Sequence, residues 1–149
     1  MVPDFNDAYI ERLDKETEEV LGKETASFLE QHITYFKNHL NEFMYLESPA
    51  FEQKNVDAVS FEVDDVFRTY TVLLGLKLQK KYQPTIKEFL NANLRGEDAQ
   101  VSLMFNGDDG LWDLNLSLDH VEGFREEMTI GEAYQLVYDL IAKLVGSIK

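Results

Sequence analysis

A row of small polar side chains followed by a histidine is the first group in this sequence that could do chemistry. Between residues 112 and 118, apolar Trp and Leu residues alternate with polar ones, which are Asp113, Asn115, Ser117 and then Asp119, with His120 next. Strict alternation predicts a half-buried strand with its polar side chains on one sheet face. Such a row could bind a metal ion or a ligand, or could simply be the solvated face of an antiparallel strand. We select Asp113, Asp119 and His120 as candidate binding residues.

A cluster of lysines interrupts an otherwise acidic chain. Residues 61–95 hold 6 basic and 4 acidic residues, whereas residues 1–60 hold 5 and 13 and residues 96–149 hold 3 and 11. The cluster consists of Lys77, Lys80, Lys81 and Lys87. It could receive an anionic ligand, the acidic segment of a partner or the acidic ends of a second copy. Alternatively, the lysines discourage edge-to-edge aggregation of a strand. Lys77, Lys80 and Lys81 are our further candidate binding residues.

Histidine and aspartate spacing does not predict a metal site. His32 and His39 lie on one face of a predicted helix, but two turns separate them by about 10.5 Å, too far for one ion. The acidic turn at residues 106–110 lacks the spacing of a calcium loop, with Leu111 at the glycine position and Ser117 at the glutamate position. We therefore expect no bound metal and no cofactor. We interpret the histidines as packed imidazoles, the alternative being a pH-sensitive interface or a catalytic base. A hairpin turn explains the acidic residues.

Composition excludes several classes of function. The chain has 149 residues and a net charge of −14, so it repels nucleic acid and anionic membranes. The absence of cysteine excludes disulfides, thiolate catalysis and thiolate-bound metals. Nucleophile-elbow and phosphate-loop motifs are missing, which argues against the common catalytic folds. Without a visible export signal or a long apolar run, we expect a cytoplasmic protein.

The hydrophobic pattern predicts helices first and strands later. Phe5, Tyr9 and Leu13 begin an apolar stripe that predicts a helix over about 5–21, and a longer stripe predicts a second over about 24–45. Alternation at 59–63, 101–105 and 112–118 and a β-rich run at 67–78 predict four strands. Helices are expected from Pro84 to about residue 94 and from about residue 130 to the C-terminus.

An internal repeat is also apparent. Thr85 and Glu88 recur as Thr129 and Glu132, each pair forming the pattern of a helix-capping box. We therefore expect one α+β domain over residues 1–149, with a helical part at 1–45 and a sheet-containing part at 56–149. The latter is a possible tandem ββα-ββα repeat that forms an antiparallel four-stranded sheet covered by helices.

These features favour a small acidic binding protein that acts on a protein partner, as an inhibitor, an immunity factor or a chaperone-like factor. The reasons are its apolar and aromatic content, the acidity of both ends and the lack of a catalytic motif. A homodimer also remains open. The alternative is a ligand-binding or enzymatic α+β domain with a pocket between helices and sheet. Its site would use Asp113, Asp119, His120 or the two histidines of the second predicted helix, and two or more of these side chains must converge in one concave site. No small-molecule ligand is identified.

Overall fold

The central element is one antiparallel sheet of seven strands. The computed structural model describes residue 5 and residues 7–64, 66–94 and 101–148. The strands are β1 (Tyr9–Asp14), β2 (Val20–Glu24), β3 (Glu42–Glu47), β4 (Val56–Val63), β5 (Tyr70–Leu76), β6 (Val101–Asn106) and β7 (Leu111–Ser117), and the helices are α1 (Pro49–Glu52), α2 (Gln83–Asn93) and α3 (Ile130–Ile148). The order of strands in the sheet is β2-β1-β3-β4-β5-β7-β6. The architecture is α+β.

The prediction of two N-terminal helices is wrong. Strands β1, β2 and β3 occupy this region, and only two short 3₁₀ turns, Ala26–Glu30 and Ile33–Lys37, are helical. Tyr9 and Leu13, four residues apart, lie on one face of a strand as readily as on one face of a helix. The long-range pairing of β1 with β3, which places Ile10 opposite Leu46, decided between the two.

The prediction of a four-stranded sheet is also wrong, because the N-terminal strands extend the same sheet. The four strands expected in the second half are present as β4, β5, β6 and β7. They are continuous with β3, which pairs with β4 through Met44 opposite Phe61. The expected division into a helical part and a sheet-containing part is therefore absent.

One face of the sheet holds the core. Tyr134 of α3 stacks on Phe61 with ring centroids 4.0 Å apart, and Phe51 of α1 packs edge-on against Tyr134. Leu90 of α2 borders the same face beside Leu103 of β6. We call this the covered face, because all three helices contribute to it. The opposite side, the open face, has no described helix packed on it, and its side chains are mostly half-buried or exposed.

Two hairpin loops at the same end of the sheet are built identically. The Oδ1 atoms of Asp14 and Asp64 each accept hydrogen bonds from the backbone N–H groups two and three residues ahead, at 2.8–3.0 Å. Their carbonyl oxygens accept from the N–H groups of Glu18 and Arg68, both at 2.8 Å. Glu18 and Arg68 adopt φ values of 61° and 59°, the left-handed conformation that this loop requires.

The two predicted capping boxes differ in the structure. Before α3, the Thr129 hydroxyl accepts from the Glu132 N–H at 3.1 Å, and Glu132 accepts from the Thr129 N–H at 3.0 Å. This is the reciprocal arrangement of a capping box. By contrast, α2 begins two residues before Thr85, and its N-cap residue Tyr82 makes no side-chain capping bond. The capping interpretation is therefore correct for Thr129 and wrong for Thr85.

Candidate functional site

The three polar residues selected near the end of β7 do not form one site. Asp113 is exposed on the open face, about 13 Å before the end of the strand at about 3.3 Å per residue. Asp119 lies beyond that end, where its Oδ1 accepts a hydrogen bond from the Tyr70 N–H at 2.8 Å. His120 is half-buried, and its Nδ1 has no hydrogen-bond partner among the described residues. Asp119 therefore anchors strand β5, whereas Asp113 is solvated.

The lysine cluster lies at the other end of strand β5. Lys77, Lys80 and Lys81 are exposed and follow this strand in succession, and Lys87 is exposed on α2. The Nζ atom of Lys80 lies 5.9 Å from the centre of the Phe105 ring, a cation–π contact. None of the four lysines forms an ion pair with a carboxylate within the described ranges. The acidic ends of the chain therefore do not neutralise this cluster there.

The two histidines of the N-terminal region serve separate local roles. His32 is exposed and forms an isolated backbone bridge with Thr129. His39 stacks on the Tyr35 ring with centroids 4.0 Å apart, and its Nδ1 lies 2.8 Å from the Tyr35 carbonyl oxygen. Across the described part of the chain, no three His, Asp or Glu side chains are grouped to hold a metal ion.

An arginine network at the edge of the covered face was not found from the sequence. Arg12 donates to Glu24 Oε2 at 2.7 Å and to Glu42 Oε1 at 3.0 Å, and the Tyr35 hydroxyl donates to Glu42 at 2.8 Å. The hydrogen bond to Glu24, with that to Glu42, raises the pKa of Arg12, so the guanidinium stays charged. Gly22 leaves room for it, because a Cβ atom there would lie 3.3 Å from Arg12 Nη2. Since its charges are paired, the network ties β1 to its neighbours.

A hollow with an apolar floor lies on the open face. Its volume is about 230 Å³ and it is lined by Lys15, Glu18, Phe43, Ser60, Glu62 and Leu73. Phe43 and Leu73 are half-buried although no described helix packs on them. Lys15 and Glu62 lie 3.8 Å apart at its margin. An apolar floor with charged margins is typical of a surface that receives a side chain of a partner.

An acidic aromatic patch continues the open face beyond this hollow. We define it as Tyr9, Glu11, Tyr45, Glu47 and Asp57, which come from β1, β3 and β4. The two tyrosine rings meet edge-on with centroids 6.5 Å apart. The Tyr9 hydroxyl donates to Glu11 at 2.5 Å, and the Tyr45 hydroxyl donates to Glu47. The patch therefore combines ring surface with clustered negative charge.

Burial and the neighbouring carboxylates raise the pKa of Tyr45. Its pKa is raised, first by burial, then by the hydrogen bond to Glu47, and further by the negative charges of Glu47, Asp57 and Glu11. The phenol therefore stays neutral at physiological pH and remains a hydrogen-bond donor. Sequence reasoning missed the patch because it assigned Tyr45 to a helix. The aromatic and apolar run from Phe43 to Leu46, which is typical of a strand, was the signal that could have found it.

Comparisons with protein-family models, curated proteins and solved structures found no match to this chain. Of the helices in the described ranges, none combines the length and apolarity needed to cross a membrane.

Proposed function

We propose that this chain is a small acidic binding protein whose open face docks a basic surface of a protein partner. The observation that carries the proposal is the position of Tyr45 opposite Glu11 and hydrogen-bonded to Glu47, on a sheet face without a described helix. Aromatic side chains supply contact area in protein interfaces at a low cost in conformational entropy. A partner with lysine or arginine side chains is complementary to the carboxylates.

Two further features support a protein as the partner. The hollow beside the patch has room for one side chain, and the apolar parts of Phe43 and Leu73 would contact the stem of a long basic residue. The net charge of −14 increases the rate of encounter with a basic surface and repels phosphate backbones. Inhibitors, immunity factors and chaperones that bind basic proteins all fit this chemistry.

The enzymatic alternative receives no comparable support. It requires two or more of Asp113, Asp119, His120, His32 and His39 to converge in one concave site. Asp113 lies about 13 Å before the end of strand β7, at about 3.3 Å per residue, whereas Asp119 and His120 lie beyond that end. The ring of His39 is stacked on Tyr35 instead. The side chain of Asp119 is also engaged by the backbone of strand β5. We therefore favour binding.

The test is affinity capture from a native lysate with matched charge-reversal variants. The variant Glu11→Lys/Glu47→Lys changes the acidic aromatic patch, and Glu30→Lys/Glu127→Lys makes the same change in charge at exposed positions elsewhere. We expect a captured protein that is released at high salt, is lost with the first variant and is kept with the second. Equal capture by both variants, or no salt-sensitive partner at any ionic strength, contradicts the proposal.

A further inference from the structure

Two hairpins in the sheet have the same pairing and loop geometry and partly similar sequences. Residues 59–76 align without a gap with residues 101–118, so that Val59 matches Val101 and the buried Tyr70 matches the buried Trp112. The loops correspond too: the Arg68 N–H donates to the carbonyl of the fourth residue before it, and so does the Gly110 N–H, both at 2.8 Å. Gly110 has φ 68°, close to the 59° of Arg68.

An approximate two-fold axis relates these hairpins. Strands β5 and β7 pair antiparallel, with Val72 opposite Leu116 and Leu74 opposite Leu114. Under the sequence alignment, Val72 corresponds to Leu114 and Leu74 to Leu116, so exchanging the hairpins reproduces the same pairs. Strand β4 therefore lies beside β5 in the position that β6 takes beside β7.

The surroundings of these equivalent strands differ. The outer edge of β4 pairs with β3, with Met44 opposite Phe61 and Leu46 opposite Val59. The corresponding residues of β6 are Leu103 and Val101, and no described strand pairs with its outer edge. Strand β6 is also uncharged and exposes Met104 to 68%. An uncharged edge with free backbone groups is suited to the addition of a strand.

The groove beside this edge indicates the chemistry of the added strand. It has a volume of about 320 Å³ and is lined by Lys87, Leu90 and Asn91 of α2 and by Val101 and Leu103 of β6. Apolar side chains on alternate positions of an added strand would enter it. Lys80 contacts Phe105 of the same strand, and no described carboxylate pairs with Lys80 or Lys87. Acidic residues in the added segment would supply the missing partners.

We propose that strand β6 accepts on its outer edge an extended, antiparallel segment of a partner protein, with alternating apolar side chains and acidic flanks. Strand β3 is the internal precedent, since its sequence from Glu42 to Glu47 is an apolar run between two glutamates and buries its side chains at alternate positions. A second copy of β6 is less suitable, because pairing two copies brings their lysines together. This surface is separate from the open face and opposite to it in charge. The proposal for β6 therefore does not depend on the function proposed for the open face.

The test uses a synthetic peptide with the sequence of residues 41–48 as the probe and the isotopically labelled full chain. We expect micromolar to millimolar binding that shifts the backbone amide signals of β6 and slows their exchange with solvent. N-methylation of alternate peptide amides along one edge should abolish binding, and methylation along the other edge should be tolerated, because only one edge faces β6. The proposal is overturned if the peptide does not bind or if binding stays intact whichever of the two edges is methylated. It is also overturned if the shifted amide signals are confined to β2 or to the open face.

Charge variants test the second half of the proposal. The double variant Lys80→Glu/Lys87→Glu should weaken peptide binding by about tenfold or more, whereas Lys54→Glu/Lys143→Glu should cause a smaller loss that high salt removes. Equal losses in the two variants contradict a role for Lys80 and Lys87. Sedimentation of the free chain provides the remaining control: a dimer with protected β6 amides overturns the proposal in favour of a second copy.

Discussion

Tyr134 of helix α3 lies flat on Phe61 of strand β4, with ring planes 15° apart and the Tyr134 hydroxyl 3.3 Å from the Val59 carbonyl oxygen that accepts its hydrogen bond. Both rings are in the core, and Tyr134 is fully buried. The pair therefore fixes the position of α3 over the centre of the sheet. Substitution of Tyr134 should change both the stability of the protein and its sensitivity to alkali.

Truncating this contact should cost far more than removing its hydroxyl. We expect Tyr134→Ala to lower the free energy of unfolding by about 3–5 kcal/mol, because a large cavity opens between helix and sheet. Tyr134→Phe should cost only about 1 kcal/mol, the net value of one hydrogen bond. Urea denaturation measures both, and similar losses for the two variants would contradict the packing role.

The same residue should make the protein sensitive to alkali. Burial raises the pKa of Tyr134 well above its usual value of about 10. Its contribution to stability is therefore complete below the pKa of the unfolded chain and declines as the pH rises above about 10. The difference in unfolding free energy between the wild type and Tyr134→Phe should shrink with the loss of this contribution. If the difference in unfolding free energy stays constant from pH 7 to pH 11, the ionisation of Tyr134 does not affect stability in this range.

Thr129 and Thr85 provide a matched pair for the capping box. Thr129→Ala should lower the free energy of unfolding by about 1 kcal/mol, since the Glu132 N–H at the start of α3 loses the hydroxyl that accepts its hydrogen bond. Thr85→Ala should have a much smaller effect, because it lies inside α2 and makes no capping bond to the start of that helix. Urea denaturation of both variants decides the matter, and equal losses would show that the local sequence pattern alone determines capping.

Arg12 should be more important to stability than a surface ion pair. Arg12→Met leaves Glu42, whose side chain is 9% exposed, without its cation. Breaking a buried pair costs about 3–5 kcal/mol, and we expect about 2 kcal/mol here because Arg12 and Glu24 are partly solvated. In a double-mutant cycle, adding Glu42→Gln to Arg12→Met should recover part of the loss. Strict additivity would mean that the two side chains act independently.

The aspartate that closes the β4–β5 hairpin should contribute to acid sensitivity. Hydrogen bonds from the N–H groups of Phe67 and Val66 lower the pKa of Asp64. This contribution to stability is complete above the unfolded pKa of about 3.9 and is lost as the pH falls through the lower folded value. Asp64→Asn keeps an acceptor but removes the titration. The difference in unfolding free energy between wild type and variant should therefore change below about pH 4 and stay flat above it.

Much of the second half of the chain is predictable from local patterns. Alternation of apolar and polar residues located β4, β6 and β7, and the apolar face around Val137 and Leu144 located α3. In the first half, Tyr9 and Leu13 satisfied both periodicities, and nothing local favoured the strand. The pairing of β1 with β3, some thirty residues apart in sequence, supplied the missing hydrogen bonds.

The candidate site was less predictable than the fold. Lys77, Lys80 and Lys81 are exposed, and their role in binding stays a prediction, whereas the polar row ending at His120 does not converge. The acidic aromatic patch draws Glu11, Tyr45 and Asp57 from three strands. Their proximity depends on strand order and register, which no short segment encodes.

Local sequence accounts for the charge, for the alternation in β4, β6 and β7 and for the start of helix α3, because these depend on side chains a few residues apart. The tertiary fold was needed to bring Tyr45 close to carboxylates, to leave one sheet face without a described helix and to put β6 at the sheet edge. The physical reason is that strand neighbours are chosen by long-range hydrogen bonds and by burial of the whole apolar surface, which act across the chain.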